Sequence, residues 1–242
     1  MYRSAEFQTE SISKTDSVFF MPQSVTNRKI FAVGDIHGCS GKLETLLSRL
    51  PIDPERDVLV FLGDYINRGP ESQQVIRLLL DVKQKVRNAV FLLGNHEHGL
   101  LEYGRTGDPD LLRTLRPLGV EATLESYGKS PVRAMRGLSF LQKDHRVFLK
   151  QLLPYFRLGD YLFIHAGIIP GEALDTCSLD RLLTVRDTFI SYQGPLDEVV
   201  VFGHTPFETP FIGRRKIGID TGAVYGNLLT AVELPRLRFY HA

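Results

Sequence analysis

Five times along this chain of 242 residues an apolar run gives way, beside glycine, to an aspartate, asparagine or histidine. The segments are Gly34-Asp35-Ile36-His37-Gly38, Gly63-Asp64-Tyr65-Ile66-Asn67-Arg68-Gly69, Gly94-Asn95-His96-Glu97, His165-Ala166-Gly167 and Gly203-His204-Thr205-Pro206. Glycine lets the backbone turn sharply and approach a ligand closely. Asp, Asn and His are donors that hard and borderline divalent cations accept. Any one segment alone is an ordinary turn or cap. Five of them at the ends of strand-like runs predict a metal site built at the strand ends of one sheet system.

The runs alternate with helical patterns. Residues 29–33, 58–62 and 89–93 are short and apolar, as buried strands are. Between them Leu43, Leu46, Leu47 and Leu50, then Val75, Ile76, Leu79 and Val82, recur at helical spacing. This repetition predicts parallel strands joined by right-handed crossovers. Residues 103–153 read as a helical insertion bordering the site, with a start at Asp108-Pro109 and an apolar face at Phe148, Leu149, Leu152 and Leu153. Strand patterns resume at 161–164, 198–202, 216–219, 228–234 and 237–240. They lack long intervening helices, so part of the sheet system is expected to be antiparallel or mixed. Residues 1–28 show no periodicity and read as an extension, in which Val18-Phe19-Phe20-Met21 could dock on the 29–242 domain.

Composition narrows the partners. With 29 basic and 28 acidic residues, no charge excess argues for nucleic acid or an anionic membrane. Cys39 and Cys177 form neither a zinc spacing nor a disulfide framework, which fits a reducing compartment. The polar residues 1–14 lack a signal-peptide apolar region, and no apolar run reaches transmembrane length. The expectation is a cytoplasmic protein with no nucleic-acid or membrane partner. Oligomeric state has no readable signature.

Asp35 and His37 share one glycine-flanked turn and could grip one ion together. With Asp64, Asn95, His165 and His204 they make six oxygen and nitrogen donors. That is too many for one tetrahedral zinc and suits two adjacent ions sharing a carboxylate, for which Asp64 is the natural bridge. His98, His145 and His241 lack the strand–glycine context and are expected to be structural.

These motifs together resemble the phosphoprotein phosphatases, within the calcineurin-like metallophosphoesterases, from about Lys29 to the end. The bacterial serine/threonine phosphatases are the most similar branch, through the segment Ile219-Asp220-Thr221-Gly222-Ala223-Val224-Tyr225-Gly226. The resemblance implies an α/β fold, a β-sandwich of two mixed sheets flanked by helices. It implies that Asp35, His37 and Asp64 hold one metal and that Asp64, Asn95, His165 and His204 hold the second. Manganese is the expected metal, with iron or zinc compatible with these donors.

Two such ions roughly 3.5–4 Å apart acidify a shared water for in-line attack on phosphorus. A phosphate ester also needs its oxygens neutralised, which arginine does with a planar fork. Arg68 stands at the start of a predicted helix, where a cation opposes the dipole, and that favours an anion-binding role. The resemblance makes it a phosphate-binding arginine and Arg186 a second one, although Arg186 could simply pair with Asp187. Tyr225 either borders the substrate cleft or packs after a turn. The resemblance makes His96 the proton donor to the leaving group. The family orients that histidine with an aspartate, where this chain carries Asn67. Asparagine can accept a hydrogen bond through its carbonyl oxygen but supplies no charge.

The sequence therefore reads as a two-metal hydrolase of phosphate monoesters, a serine/threonine protein phosphatase acting on a phosphoprotein or phosphopeptide. One alternative is a symmetrical diadenosine tetraphosphate hydrolase. Another is a phosphoprotein-binding module with weakened catalysis, which Asn67 favours and the six ligands oppose.

Overall fold

The computed structural model describes residues 28–242. The expected extension, with Val18-Phe19-Phe20-Met21, lies outside the described residues except for Arg28. The chain opens with β1 (Ile30–Val33), α1 (Ser40–Arg49), β2 (Val58–Phe61), α2 (Ser72–Lys85) and β3 (Asn88–Phe91). A helical stretch follows: α3 (Asn95–Thr106), α4 (Pro109–Leu115), α5 (Val120–Ser126), a 3-10 segment (Val132–Leu138) and α6 (Lys143–Lys150). Then come β4 (Tyr155–Leu158), β5 (Tyr161–Ile164), α7 (Leu179–Thr184), α8 (Asp187–Ile190) and β6 (Val199–Phe202). The chain closes with β7 (Phe211–Gly213), β8 (Lys216–Gly218), a 3-10 turn (Ala223–Tyr225), β9 (Thr230–Leu234) and β10 (Arg238–His241).

The strands form two five-stranded sheets, ordered β10-β9-β1-β2-β3 and β4-β5-β6-β8-β7. Both are mixed. β1 pairs parallel with β2 and antiparallel with β9, and β6 pairs parallel with β5 and β8. All four residues of β1 are buried because both faces of the sheet are covered. Ile30 and Ala32 point to the partner sheet, where they meet Phe156, Phe163, Val201 and Ile217. Phe31 and Val33 point the other way, into Leu43 and Leu46 of α1 and Val75, Ile76 and Leu79 of α2. The second sheet repeats the scheme, with Leu162, Ile164, Val200 and Phe202 facing Leu182 and Phe189. The result is the expected α/β sandwich, two mixed sheets flanked by helices.

Three local expectations change. The helix expected through Leu153 ends at Lys150, because Leu153 leaves it to bridge Leu92, its amide donating to Phe91 O (3.0 Å). The strands 155–158 and 211–213 were not expected; each is a short edge of the second sheet, paired with its sequence neighbour across a two-residue turn, Gly159-Asp160 for β4 and Arg214-Arg215 for β7. Arg68 does not stand at a helix start. α2 begins at Ser72, and Arg68 lies in the preceding loop with a left-handed backbone (φ 65°).

Candidate metal centre and active site

The loops after β1, β2, β3, β5 and β6 converge at one end of the sandwich. The first sheet brings Asp35, His37, Asp64 and Asn95, and the second brings His165 and His204. Close backbone approach makes this possible. A Cβ on Gly94 would run into the Asp64 carboxylate, and one on Gly203 into the Asp35 carboxylate. His37, Asp64, Asn67, Arg68 and His204 all have positive φ between 45° and 69°. Such a concentration of strained non-glycine residues marks a functional constellation held in place by its surroundings.

Glu97 does much of that holding. Its Oε2 accepts the amides of Asp64 (3.0 Å) and Gly94 (3.2 Å), and its Oε1 those of Tyr65 (2.8 Å) and Ile66 (3.1 Å). Burial, then the Asp64 charge, push this carboxyl up to about 7, while the Ile66 and Tyr65 amides pull it down. Asp35 accepts the His204 amide at 3.1 Å on each oxygen, which ties the two sheets together at the site.

Two of the imidazoles turn lone pairs toward the Asp64 carboxylate. His37 donates Nδ1–H to Ile66 O (2.9 Å) and His165 donates Nδ1–H to Leu62 O (2.8 Å). Each pairing fixes the tautomer and aims the Nε2 lone pair inward. Those lone pairs lie 3.4 Å from Asp64 Oδ2 and Oδ1 respectively. Asn95 Oδ1 sits 3.1 Å from His165 Nε2 and 3.0 Å from His204 Nδ1. Burial holds these imidazoles neutral, lowering His37 to about 3, His165 to about 4 and His204 to about 2. Lone pair against lone pair in a buried cluster is the donor set of a cation site. Among the described residues two groups lie close enough for such a site, Asp64, His165 and His204, and His37, Asp64 and His96, the last of which turns an N–H inward. Asp64 belongs to both, and Asp35 lies 4.0 Å from His37 Nε2, so all six sequence-derived residues come together.

Burial pushes Asp64 up from its ordinary 3.8 to about 7. Burial also holds Asp35 well above its ordinary range, and cations must displace both protons, so apparent affinity for manganese is expected to rise by about tenfold or more per pH unit below 7. Calorimetric titration from pH 5.5 to 8.5 measures this. A flat profile would show that Asp64 is already ionised throughout.

Arg68 reaches this cluster directly, donating Nη1–H to His37 Nε2 (2.6 Å), while its guanidinium lies over the Tyr225 ring, 5.4 Å from the centroid. Arg186, just before α8, is exposed and forms no ion pair with Asp187 among the described residues. Its charge favours the ionised form of Asp64 and the neutral forms of His165 and His204.

His96 is fully buried; its Nδ1 is 3.0 Å from Asn67 Nδ2, and its Nε2 is 3.7 Å from Asp64 Oδ2 with no hydrogen-bond partner. The asparagine was expected to accept from this histidine. Instead its carbonyl accepts the Thr123 hydroxyl (2.7 Å), so its amide group faces His96 and donates. His96 then carries its proton on Nε2, aimed into the site. Burial, then His37 and Arg68, hold the imidazolium form far below its ordinary range.

Three site residues were given no role by the sequence. Glu97 occupies the third position of α3 behind Gly94, a capping-box position. Asp220 follows β8 at a strand end like the others and is a further buried carboxylate whose charge raises Asp35 and Asp64. Thr123 had no signal; the fold of the helical stretch brings it to Asn67. His98 pairs with Asp180, His145 with Tyr127 and His241 with Thr230, all outside the cluster.

The family model for calcineurin-like phosphoesterases matches residues 28–227. The chain belongs to that family. It is a metallophosphoesterase hydrolase, and the family together with the candidate ligand residues implies two divalent cations. It is 31% identical to a bis(5'-nucleosyl)-tetraphosphatase PrpE [asymmetrical] of Halalkalibacterium halodurans, over 86% of this chain and 90% of that one. It is 29% identical to the Bacillus subtilis protein of the same name, over 85% and 90%. A crystal structure provisionally described as a diadenosine tetraphosphatase superposes with a TM-score of 0.67 at 27% identity, covering 91% of this chain and 95% of that one. A yeast protein serine/threonine phosphatase shares the fold, with a TM-score of 0.54 at 16% identity over 88% and 74%.

Proposed function

We propose that this chain hydrolyses dinucleoside tetraphosphates asymmetrically, into a nucleoside triphosphate and a nucleoside monophosphate. The observation that carries this reading is the even, near full-length similarity to relatives bearing that activity in their names. The phosphoprotein phosphatase expected from the motifs rests on motif order, and the solved phosphatases resemble this chain in fold alone.

In this reading Asp35, His37 and Asp64 hold one cation, and Asp64, Asn95, His165 and His204 the other, with manganese the first choice. The cations supply the acidity that makes water a nucleophile at neutral pH. Arg68 and Arg186 neutralise the phosphate oxygens. Water adds to phosphorus, the phosphoanhydride P–O bond breaks, and His96 holds the Nε2 proton for the departing phosphate oxygen. A departing phosphate is a far better leaving group than a serine alkoxide and needs little protonation. An uncharged Asn67 behind His96 suits that chemistry. Among the described residues no helix is long and apolar enough to cross a membrane. A nucleotide substrate and two free cysteines fit the cytoplasmic placement expected from the sequence.

The test is chromatography of products from diadenosine tetraphosphate with the manganese-loaded protein. AMP and ATP in equal amounts are expected. ADP alone would make the cut symmetrical, and turnover confined to phosphoserine peptides would restore the phosphatase reading.

Asn67→Asp tests the proton donor. Burial holds His96 neutral in the parent, and a carboxylate at 67 would accept from Nδ1 and raise its pKa, so the variant is expected to gain activity on the acid side and a falling limb that the parent lacks. The gain should be largest on phosphoserine peptides and smallest on diadenosine tetraphosphate. Identical profiles for both proteins on both substrates would remove the link between the two residues.

A further inference from the structure

An exposed tyrosine beside a phosphate-binding arginine requires a reason. Tyr225 is 63% exposed, the most exposed of the large hydrophobic side chains among the described residues. Exposed aromatics usually sit on mobile loops or pack loosely, but this loop is pinned on every side. Lys42 of α1 donates to Ala223 O (2.8 Å) and also to Asn227 O. Asp220 Oδ1 accepts the Gly222 amide (2.9 Å), the Thr221 hydroxyl donates to Leu228 O (2.6 Å), and Asn227 Nδ2 donates to Glu208 O (2.9 Å). Gly222 and Gly226 bracket the turn at φ 70° and 94°, conformations that only glycine adopts without strain. The ring is thus held outward by a rigid backbone while gaining little from burial. Arg68 lies against it, its guanidinium over the ring and donating at the catalytic cluster. Leu228, also exposed, adds apolar surface on the same loop.

Phosphate affinity alone does not need an aromatic platform. A nucleotide does, because a base presents a π-face that stacks on tyrosine whatever its hydrogen-bonding edge. We propose that Tyr225 is a nucleobase platform: it stacks the base of the nucleoside next to the phosphate that Arg68 holds. This rests on the dinucleoside tetraphosphate reading and deepens it, since Tyr225 then separates nucleotide substrates from phosphopeptides. Stacking is sequence-tolerant, so adenine and guanine dinucleotides should be accepted alike.

The chain contains no tryptophan. Tyr225→Trp therefore places a single indole at the platform, and its fluorescence reports stacking without turnover. Adenosine monophosphate and triphosphate are expected to quench it, and inorganic tripolyphosphate to leave it unchanged. Tyr225→Ala in the manganese-loaded protein is expected to raise KM for diadenosine tetraphosphate on the order of tenfold or more relative to p-nitrophenyl phosphate, which has no base. Tyr225→Phe and Tyr225→Trp should restore it, because the ring and not the hydroxyl is used. Emission unmoved by both nucleotides, or an equal loss on both substrates in the alanine variant, would overturn the platform and leave Tyr225 as a support for Arg68. A wild-type protein that fails to cut diadenosine tetraphosphate would instead defeat the substrate reading, and the quenching arm would still decide whether a base binds at residue 225.

Discussion

Asp64→Asn is expected to abolish turnover, by on the order of 10³-fold or more, through loss of cation binding at both positions. Asp64 is the carboxylate shared by the two donor groups, 3.4 Å from both His37 Nε2 and His165 Nε2. Asparagine keeps the size and one acceptor oxygen but removes the charge that two cations share and turns a donor amine toward one of them. Several kcal/mol of charge stabilisation goes with it. The backbone should survive, because the amide at residue 64 still reaches Glu97 Oε2 (3.0 Å). Burying a neutral amide also removes the desolvation that raises the wild-type carboxyl. The cation-free variant is therefore expected to melt no lower than the cation-free parent. Metal analysis after dialysis should find less than one ion per chain. His37→Ala is the control and should empty one position while the other fills at saturating manganese. A variant Asp64→Asn that retains two ions would remove Asp64 from the bridge.

The second large effect is expected at Arg68. Arg68→Ala should cost about 2–4 kcal/mol in the transition state, on the order of 10²-fold or more in kcat/KM, by analogy with losing a preorganised donor to developing charge. Folding should barely notice. The Arg68 amide still donates to Gly119 O (3.2 Å), and alanine inherits the same left-handed backbone that arginine already tolerates. Arg68→Lys should recover only part of the loss, since an ammonium lacks the bidentate fork. The assay must be run at saturating manganese, because the Arg68 charge also favours ionised Asp64. Near-normal kcat/KM with an unchanged melting temperature would place the phosphate clamp on Arg186 instead.

The convergence of the six candidate donors was legible because each sits at the end of a short apolar strand, where local composition fixes both the element and its terminus. Only one side chain at such a terminus has to be right. Glu97 and Asp220 stood in plain view within quoted motifs, yet their roles depend on which amides and charges the fold brings to them. A carboxylate collecting amides from the β2 loop cannot be read from α3 alone. Thr123 was illegible for a stronger reason. It lies 56 residues from Asn67, on a helix whose position depends on packing between α2 and α5. The edge strand β4 carried a signal that went unread, Tyr155-Phe156 before the Gly159-Asp160 turn, whereas β7 is only three residues long and is a strand through its pairing with β8. The loop position of Arg68 was missed because positive φ on a non-glycine residue leaves no trace in composition.

The order β10-β9-β1-β2-β3 sets a timetable for the newly made protein. β1 is among the first elements to leave the ribosome, but its neighbour β9 is among the last. Until then one flank of β1 lacks its partner, and the Gly34 amide that leads into the Asp35 turn lacks Thr230 O (3.0 Å). A nascent chain can pair β1 with β2 and β3 and cover them with α1 and α2. It cannot close the first sheet. Stalling or truncation before residue 230 would thus leave a bare central strand, the kind of edge that recruits chaperones or aggregates, and no amount of metal would mature such a fragment into an enzyme.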